Sequence, residues 1–416
     1  MNVKSTHHQD SKLLIICLLI SSAIFLNYFF WAINALSFFK YINFSILIFL
    51  ISYFLVSREF KKYNFIKLFF LSLLILCLGS ALTDWDARSV WLFHAKRIYI
   101  DNDLYGGFDN YMPELMNAYP LIAPSLSATL AKLIGHWNEI FPKSTNILLV
   151  LPAVLIQCFF LKDTKFKLMW LMFILLFSGR ILINGRTDGL VAIYFVSCCL
   201  VIFKLFIGKN LNFLSIKNKK INRSTILVLG ILFGIILTLL KNEGFVIMFI
   251  IFISTIFFKL LTKRNFSFED LFFWIFIFLP IIIWKFMATT GGVYPRIIGF
   301  GIEAVYSESL TQRIIIRLTD LDNYKLILDY LILNEKFIIS LIIFGFAFLK
   351  NFKKNEMIFK FVIFNSIIYY FLLYFIYLST PHDISWHLNS SAHRVLISIV
   401  LLLTYFSILS FQGKKN

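Results

Sequence analysis

Apolar runs long enough to cross a lipid bilayer recur along the whole length of this 416-residue chain. Hydrophobic residues make up 59% of it and charged residues only 15%, and the mean hydropathy is +0.81. Soluble proteins are about 45–50% apolar, and a helix needs about 17–25 apolar residues to cross the hydrocarbon core. The sequence therefore predicts an all-α, polytopic bundle of transmembrane helices, with residues 1–416 forming one membrane-embedded domain.

About twelve spans are expected, and the first is too long for a signal-peptide core, so it should remain in the mature protein. Two spans within 13–56 precede the first large connection. The expected spans are 13–33, 41–56, 66–83, 145–161, 167–183, 187–207, 224–240, 244–261, 270–288, 332–349, 359–379 and 392–411.

Half of the connections are basic, which is typical of loops that face the cytoplasm. The basic connections contain Arg58, Lys61 and Lys62; Lys162, Lys165 and Lys167; Lys204 to Arg223 with no acidic residue; Lys263 and Arg264; Lys350, Lys353 and Lys354; and Lys414 and Lys415. They alternate correctly only if the apolar stretch Pro120 to Ile134 forms a juxtamembrane or re-entrant helix instead of a span. Connections 84–144, 184–186, 241–243, 289–331 and 380–391 then face outward. We expect a bacterial inner (plasma) membrane protein with both termini in the cytoplasm.

The placement of charge and cysteine excludes two classes of protein. The formal net charge is +18, but the basic residues flank apolar spans, so they indicate membrane orientation and no nucleic-acid partner. All five cysteines fall inside apolar spans and not in exported loops. A disulfide framework is therefore not expected.

The first large outward connection, 84–144, opens with two carboxylates, Asp84 and Asp86. Apolar and aromatic residues then recur at helical spacing, whereas the basic residues point elsewhere, which predicts an amphipathic helix at the membrane surface. Carboxylates at the amino end of such a helix are stabilised by its dipole, so either could be only a helix cap. Two of them beside a span, with a lysine ten residues on, favour a function for at least one. The recurring residues are Val90, Trp91, His94, Ile98 and Tyr99, and the basic ones are Arg88, Lys96 and Arg97.

Two of the outward connections are very short polar turns between apolar spans. The segment 184–189 contains Asp188, which could simply cap the next helix. The segment 240–245 contains Lys241, Asn242 and Glu243, and charged groups so close to hydrocarbon are candidates for function by default.

The last outward segment, 381–394, is rich in histidine and ends in Arg394. A guanidinium there suits an anionic phosphate, although it could instead extend toward water, with Trp386 as an interfacial anchor. His382, Asp383, His387 and His393 match no standard metal-ligand spacing. No cofactor is predicted, and a divalent metal stays open.

Collected in order, these segments resemble the GT-C superfamily of polytopic glycosyltransferases, which includes protein O-mannosyltransferases and the lipid A aminoarabinose transferase. The resemblance covers most of the chain. It rests on 84–87 with Lys96, on Ala118-Tyr119-Pro120-Leu121-Ile122-Ala123-Pro124, on 186–189, on 240–244, and on 386–391 with Arg394. The chain differs in having two extra spans before the first large loop and Tyr119-Pro120-Leu121 in place of a His-Pro-Pro-Leu-like element.

The resemblance implies transfer of a sugar from a polyprenyl-phosphate carrier to a glycan, lipid or protein acceptor outside the cytoplasm. It places the key catalytic acid at Asp86, with Asp84 as the neighbouring candidate, and Tyr119 among the substrate-binding residues. Membrane lipids are the other expected partners.

The residues fit this chemistry without the resemblance. A carboxylate can take the proton of an acceptor hydroxyl during direct displacement at the anomeric carbon, which inverts that centre. Positive charge is needed where the phosphate charge develops, and Lys96, Lys241 and Arg394 are the candidates. His387 could bind phosphate or sugar, and Asp188 and Glu243 could orient sugar hydroxyls or hold the cations. Asn242 is a further candidate for substrate binding.

Two other classes stay open. A transporter or flippase of lipid-linked sugars would place polar residues near the middle of the bilayer, but the span centres are almost uniformly Ile, Leu and Phe. An O-antigen polymerase or ligase would use a large late loop, for which 289–331 with Arg296, Arg313 and Arg317 is the candidate.

Overall fold

The computed structural model describes residues 3–34, 37–106, 119–207, 223–290, 310–380 and 382–412. All regular structure in these ranges is helical, which confirms the all-α fold class. The helices are α1 Val3–Ile33, α2 Ser37–Val56, α3 Asn64–Gly79, α4 Leu92–Asp101, α5 Ile122–Ile134, α6 Ile140–Lys143, α7 Thr145–Phe160, α8 Thr164–Ile183, α9 Asp188–Ile202, α10 Arg223–Leu240, α11 Asn242–Leu261, α12 Phe268–Thr290, α13 Leu310–Leu318, α14 Leu321–Ile332, α15 Glu335–Ser379, α16 Ile384–Val395 and α17 Ile397–Ser410. Short 3-10 or π-helical turns at Arg58–Tyr63, Ala87–Trp91 and Phe203–Ile207 adjoin α3, α4 and α9.

Eleven helical segments of the described chain are long and apolar enough to cross a membrane. The longest segment, α15, consists of two helical arms that run antiparallel. The backbone leaves the helical region at Asn355, where the first arm ends. Residues 337 and 370 would lie about 50 Å apart in a continuous helix, yet the rings of Phe337 and Tyr370 are 6.1 Å apart. Each arm matches one of the expected spans 332–349 and 359–379.

Three helices form the centre of the bundle. Helices α9 and α17 are buried on every side, and α7 almost so, as expected for helices that are apolar all round. Outer helices expose large apolar side chains instead, such as Phe49 of α2, Phe286 of α12 and Phe371 of α15. A lipid environment accounts for these exposed faces.

The described parts of the basic connections meet at one end of the bundle, and residues 208–222 of the connection from Lys204 to Arg223 lie outside the described residues. The Lys12 ammonium pairs with Glu59 at 2.6 Å, and Lys167 lies 5.3 Å from the ring of Tyr63. The backbone amide of Lys162 donates to Gln412 Oε1 at 2.8 Å. The described parts of the connections expected to face outward meet at the opposite end, which we call the cavity end; residues 107–118 and 291–309 of these connections lie outside the described residues. The predicted tail lysines, Lys414 and Lys415, lie outside the described residues.

Helix α5 contains 13 residues and is therefore about 20 Å long, shorter than the hydrocarbon core. It lies within the protein: Thr129 Oγ1 accepts a hydrogen bond from Trp31 Nε1 at 2.8 Å and donates to Asn27 Oδ1 at 3.1 Å. Helix α2 also packs against α5, so both extra N-terminal helices support the first large loop. Proline at its start and its short length are the sequence features that indicated an incomplete span.

Two local expectations were wrong. Arg97 was expected to point away from the apolar face of α4, but it is 2% exposed because its guanidinium binds the carbonyls of Leu104 and Gly106 in the turn after the helix. The segment 384–391 was expected to be part of a connection, but it forms most of α16. One face of α16, with Ile384, Leu388 and Ala392, is buried.

Candidate active site

A cavity of about 770 Å³ opens at the cavity end of the bundle. Its wall is built from the α3–α4 loop, the segment before α5, the end of α8 with the α8–α9 turn, the α10–α11 turn, α15 and α16. Most of its polar residues are those that the sequence singled out. The lining residues with ionisable or aromatic side chains are Asp84, Trp85, Asp86, Trp91, Tyr119, Arg180, Arg186, Asp188, Lys241, Glu243, Lys336, Tyr377, His382, Trp386, His387, His393 and Arg394.

Asp84 has a structural role at the start of the loop helix. Its Oδ1 accepts hydrogen bonds from the backbone amides of Asp86 and Ala87, at 3.1 and 3.4 Å, which is the geometry of a helix cap. Its Oδ2 pairs with Arg186 of the α8–α9 turn. Both oxygens of Asp84 are therefore occupied, and its side chain is only 8% exposed.

Lys143 connects the α3–α4 loop to the α8–α9 turn. Its buried ammonium donates to the carbonyl and hydroxyl oxygens of Ser80, at 2.6 and 2.7 Å. Asn146 donates to the carbonyl of Gly185 at 2.9 Å. Gly185 has a φ of +84°, and a Cβ there would lie 2.8 Å from Lys143 Cγ, so a glycine is needed where these elements meet.

Asp86 is the carboxylate that faces the open cavity. Its side chain is 31% exposed, against 6% for Asp188 and 15% for Glu243. Its carboxylate pairs with Arg394, whose guanidinium also lies 3.5 Å from Asp188 Oδ2. Arg394 is held in place by donating from Nε to the carbonyl of Ser390 at 3.0 Å. An acceptor hydroxyl in the cavity can therefore reach Asp86 without displacing a buried pair.

Lys241 lies between two carboxylates at the base of the cavity. Its ammonium is 2.9 Å from Asp188 Oδ1 and 2.9 Å from Glu243 Oε1. Burial opposes the charge of Lys241, but Asp188 and Glu243 outweigh it and raise the pKa of that ammonium well above its ordinary value. Gly244 makes the turn possible, because a Cβ there would lie 1.9 Å from the carbonyl oxygen of Leu237.

One wall of the cavity is aromatic. The rings of Trp91 and Tyr119 are stacked with centroids 5.4 Å apart and an interplanar angle of 6°. The Lys241 ammonium lies 5.7 Å from the Tyr119 ring. Trp91 is 5% exposed and Tyr119 is partly exposed, so this wall offers the cavity a small apolar surface beside its polar groups.

The α16 side of the cavity carries His387 near the ring of Tyr377, with centroids 5.0 Å apart. Tyr377 and Ser391 share a hydrogen bond of 2.9 Å. Arg317 of α13 binds the carbonyls of Leu378, Thr380 and His382. Arg317 therefore anchors the segment that leads into α16. Arg296, the other arginine named for the late loop together with Arg313, lies outside the described residues.

The structure brings together eight of the ten residues expected at the site: Asp84, Asp86, Tyr119, Asp188, Lys241, Glu243, His387 and Arg394. The other two lie elsewhere. Lys96 is exposed on α4 and does not line the cavity. Asn242 does not line it either, since its Oδ1 accepts a hydrogen bond from Lys285 at 2.8 Å.

Two cavity cations were not anticipated, Arg180 and Lys336. Arg180 is the only ionisable residue between 168 and 185. A single charged residue within an apolar run is a candidate for function, so the sequence could have indicated Arg180. Within the described ranges, no group of three or more His, Cys, Asp or Glu side chains is arranged to hold a metal ion.

No protein-family model, no curated protein and no solved structure matches this chain. The chemistry of the cavity therefore carries the functional conclusion.

Proposed function

We propose that this integral membrane protein is a glycosyltransferase that moves a sugar from a polyprenyl-phosphate-linked donor to an acceptor hydroxyl outside the cytoplasm. One observation carries the proposal. An accessible carboxylate, Asp86, shares a cavity at one end of the bundle with cations and an aromatic wall, and these groups come from six separate parts of the chain.

Asp86 is the general base in this proposal. Among the four cavity carboxylates it has the most exposed side chain, and its ion-pair partner is Arg394. The Arg394 guanidinium fixes the direction of the Asp86 carboxylate. Asp84 is occupied by the helix cap and Arg186, and therefore supports Asp86 by positioning the loop.

The reaction is a single displacement. The acceptor hydroxyl gives its proton to Asp86 while its oxygen bonds to the anomeric carbon, and the bond from that carbon to the phosphate oxygen breaks. The electron pair leaves with polyprenyl phosphate, whose charge becomes one unit more negative. The anomeric centre is inverted, and no acid is needed because phosphate is a good leaving group.

The position of the charged groups favours catalysis over transport. Asp188 is the first residue of α9, Lys241 separates α10 from α11, and Asp86 precedes α4. All three lie at helix ends, where a lipid head group resides, whereas a transporter binds its substrate near the middle of the bilayer.

Mass spectrometry after gene deletion tests the proposal. Cells without the protein should accumulate one polyprenyl-linked sugar and make a glycan, glycolipid or glycoprotein that lacks that sugar. Wild-type protein should restore both, whereas Asp86→Asn expressed at the same level should restore neither. Unchanged polyprenyl-linked sugars and unchanged envelope glycans after deletion would reject a transferase role.

A further inference from the structure

The base of the cavity is not a free cationic site. Four carboxylates, Asp84, Asp86, Asp188 and Glu243, face three cations there, Arg186, Lys241 and Arg394, and each cation is paired with at least one carboxylate. A donor phosphate at Lys241 or Arg394 would have to displace a carboxylate that is already paired with that cation. Electrostatics therefore disfavours the phosphate positions that the sequence suggested.

Arg180 and Lys336 differ from these three cations. Both line the same cavity. Within the described part of the chain, no carboxylate lies within ion-pair distance of either side chain. Lys336 uses one N–H to bind the carbonyl of Phe177 at 2.9 Å, which holds its ammonium beside the end of α8. Two like charges held together without a counter-ion favour an anion between them.

We propose that Arg180 and Lys336 form the subsite for the phosphate of a polyprenyl-phosphate lipid. This inference rests on the proposed function for the identity of the donor, and it separates the phosphate subsite from the acid–base group around Asp86. Arg180 would bind the phosphate through its planar guanidinium and Lys336 as a point charge.

The surroundings favour a lipid phosphate over a free one. Arg180 lies in the last turn of α8 and Lys336 in the first turn of α15, both at the cavity end. One turn further into the bundle, Leu176 and Ile339 lie on the same helix faces and are 64% and 45% exposed. A phosphate between the two cations would thus have exposed apolar side chains directly below it for an isoprenoid chain.

The subsite also fits the charge change during transfer. The donor phosphodiester carries one negative charge and the released polyprenyl phosphate carries up to two. Cations that are not already neutralised stabilise this added charge more than cations in existing ion pairs. Lys241 and Arg394 would then organise the carboxylates, and Arg180 and Lys336 would receive the leaving group.

Binding measurements on the purified full-length protein in detergent test the inference, with undecaprenyl monophosphate as the probe. Arg180→Gln and Lys336→Gln should each weaken its binding about 10- to 100-fold, the range for a lost charge-assisted hydrogen bond. Arg180→Lys should retain most of the affinity. Lys325→Gln removes an exposed lysine from α14, away from the cavity, and should change the affinity less than about twofold. Unchanged thermal unfolding of the variants would exclude misfolding as the cause.

Two comparison ligands identify what is recognised. Undecaprenol should bind all variants alike, and inorganic phosphate should bind the wild type far more weakly than the lipid. Equal lipid affinity in wild type, Arg180→Gln and Lys336→Gln would overturn the inference, and inorganic phosphate binding as tightly as the lipid would overturn its lipid assignment. If sugar transfer depends on Asp86 while Arg180→Gln and Lys336→Gln keep the donor KM, the phosphate subsite is refuted and the transferase function is retained. If both variants lose lipid binding but no donor is ever consumed, the transferase fails and the subsite stands.

Discussion

Replacing Asp86 by asparagine should separate catalysis from folding. Asparagine keeps the size of the side chain and an oxygen that can accept a hydrogen bond from Arg394, but it cannot take a proton. Loss of a general base lowers kcat by about 10²–10⁴-fold. The effect on folding should be smaller than the cost of leaving a buried charge unpaired, because the Asp86 side chain is 31% exposed and the Arg394 guanidinium still lies 3.5 Å from Asp188 Oδ2.

Asp84→Asn is the matched control, because it changes the neighbouring carboxylate in the same way. Asparagine caps a helix about as well as aspartate, so the bonds to the Asp86 and Ala87 amides can persist. Its ion pair with Arg186 is lost, however, and breaking a buried pair costs about 3–5 kcal/mol, less where one partner is partly exposed. We therefore expect a lowered unfolding temperature for Asp84→Asn, with most of the turnover per folded molecule kept.

The assay uses lipid extracted from the deletion strain as the donor and follows the release of polyprenyl phosphate by mass spectrometry. Detergent-solubilised variants are compared at equal amounts of folded protein, which thermal unfolding determines. Full turnover by Asp86→Asn would remove Asp86 from the mechanism. An inactive Asp84→Asn with wild-type stability would instead make Asp84 the base.

Three further variants test other parts of the structure. Gly244→Ala should lower the stability by about 1–3 kcal/mol or more, because its Cβ would lie 1.9 Å from the carbonyl oxygen of Leu237. Gly345→Ala is its control, because a Cβ at that position would have no neighbour within 4 Å, and it should stabilise α15 by about 0.5–1 kcal/mol. Equal changes in the stability of the two variants would contradict the close approach at Gly244. Burial lowers the pKa of His382 from its usual 6.5, so stability that is complete above pH 6.5 should fall as the pH drops through the lowered pKa. His382→Gln should reduce that fall in unfolding scans from about pH 7 to 5, and an identical pH profile would exclude this histidine. Lys96→Ala should keep full sugar transfer, whereas a loss would bring Lys96 back into the site.

Much of the architecture follows from hydropathy alone, because lipid requires each span to be a long apolar helix. Failures occurred where polar residues make tertiary contacts. The sequence predicts that Arg97 lies on the surface. Its burial depends on two carbonyls of the following turn, and the spacing of residues along the chain does not show where that turn lies. Helix α16 has few apolar residues, although Ile384, Leu388 and Ala392 at intervals of four could have indicated it.

The sequence predicted most of the residues that line the candidate site, but it did not predict which of them form ion pairs with one another. Sequence placed Asp86, Lys241 and Arg394 near one membrane surface because each interrupts or borders an apolar run. It could not tell that Lys241 is enclosed by Asp188 and Glu243, because those partners come from different helices. Lys336 gave no signal at all, since its nearness to Arg180 exists only in the folded bundle.

The contacts of Lys12 with Glu59, and of Lys162 with Gln412, place both ends of the described chain on the face remote from the cavity, since Lys167 beside Tyr63 joins the two regions. A fluorescent protein or affinity tag fused to either terminus would therefore emerge into one compartment and leave the cavity unobstructed. A reporter inserted beside Lys325 would emerge into the other compartment. Purification handles and immobilisation chemistry can thus be attached at both termini while ligands still have access from the opposite face.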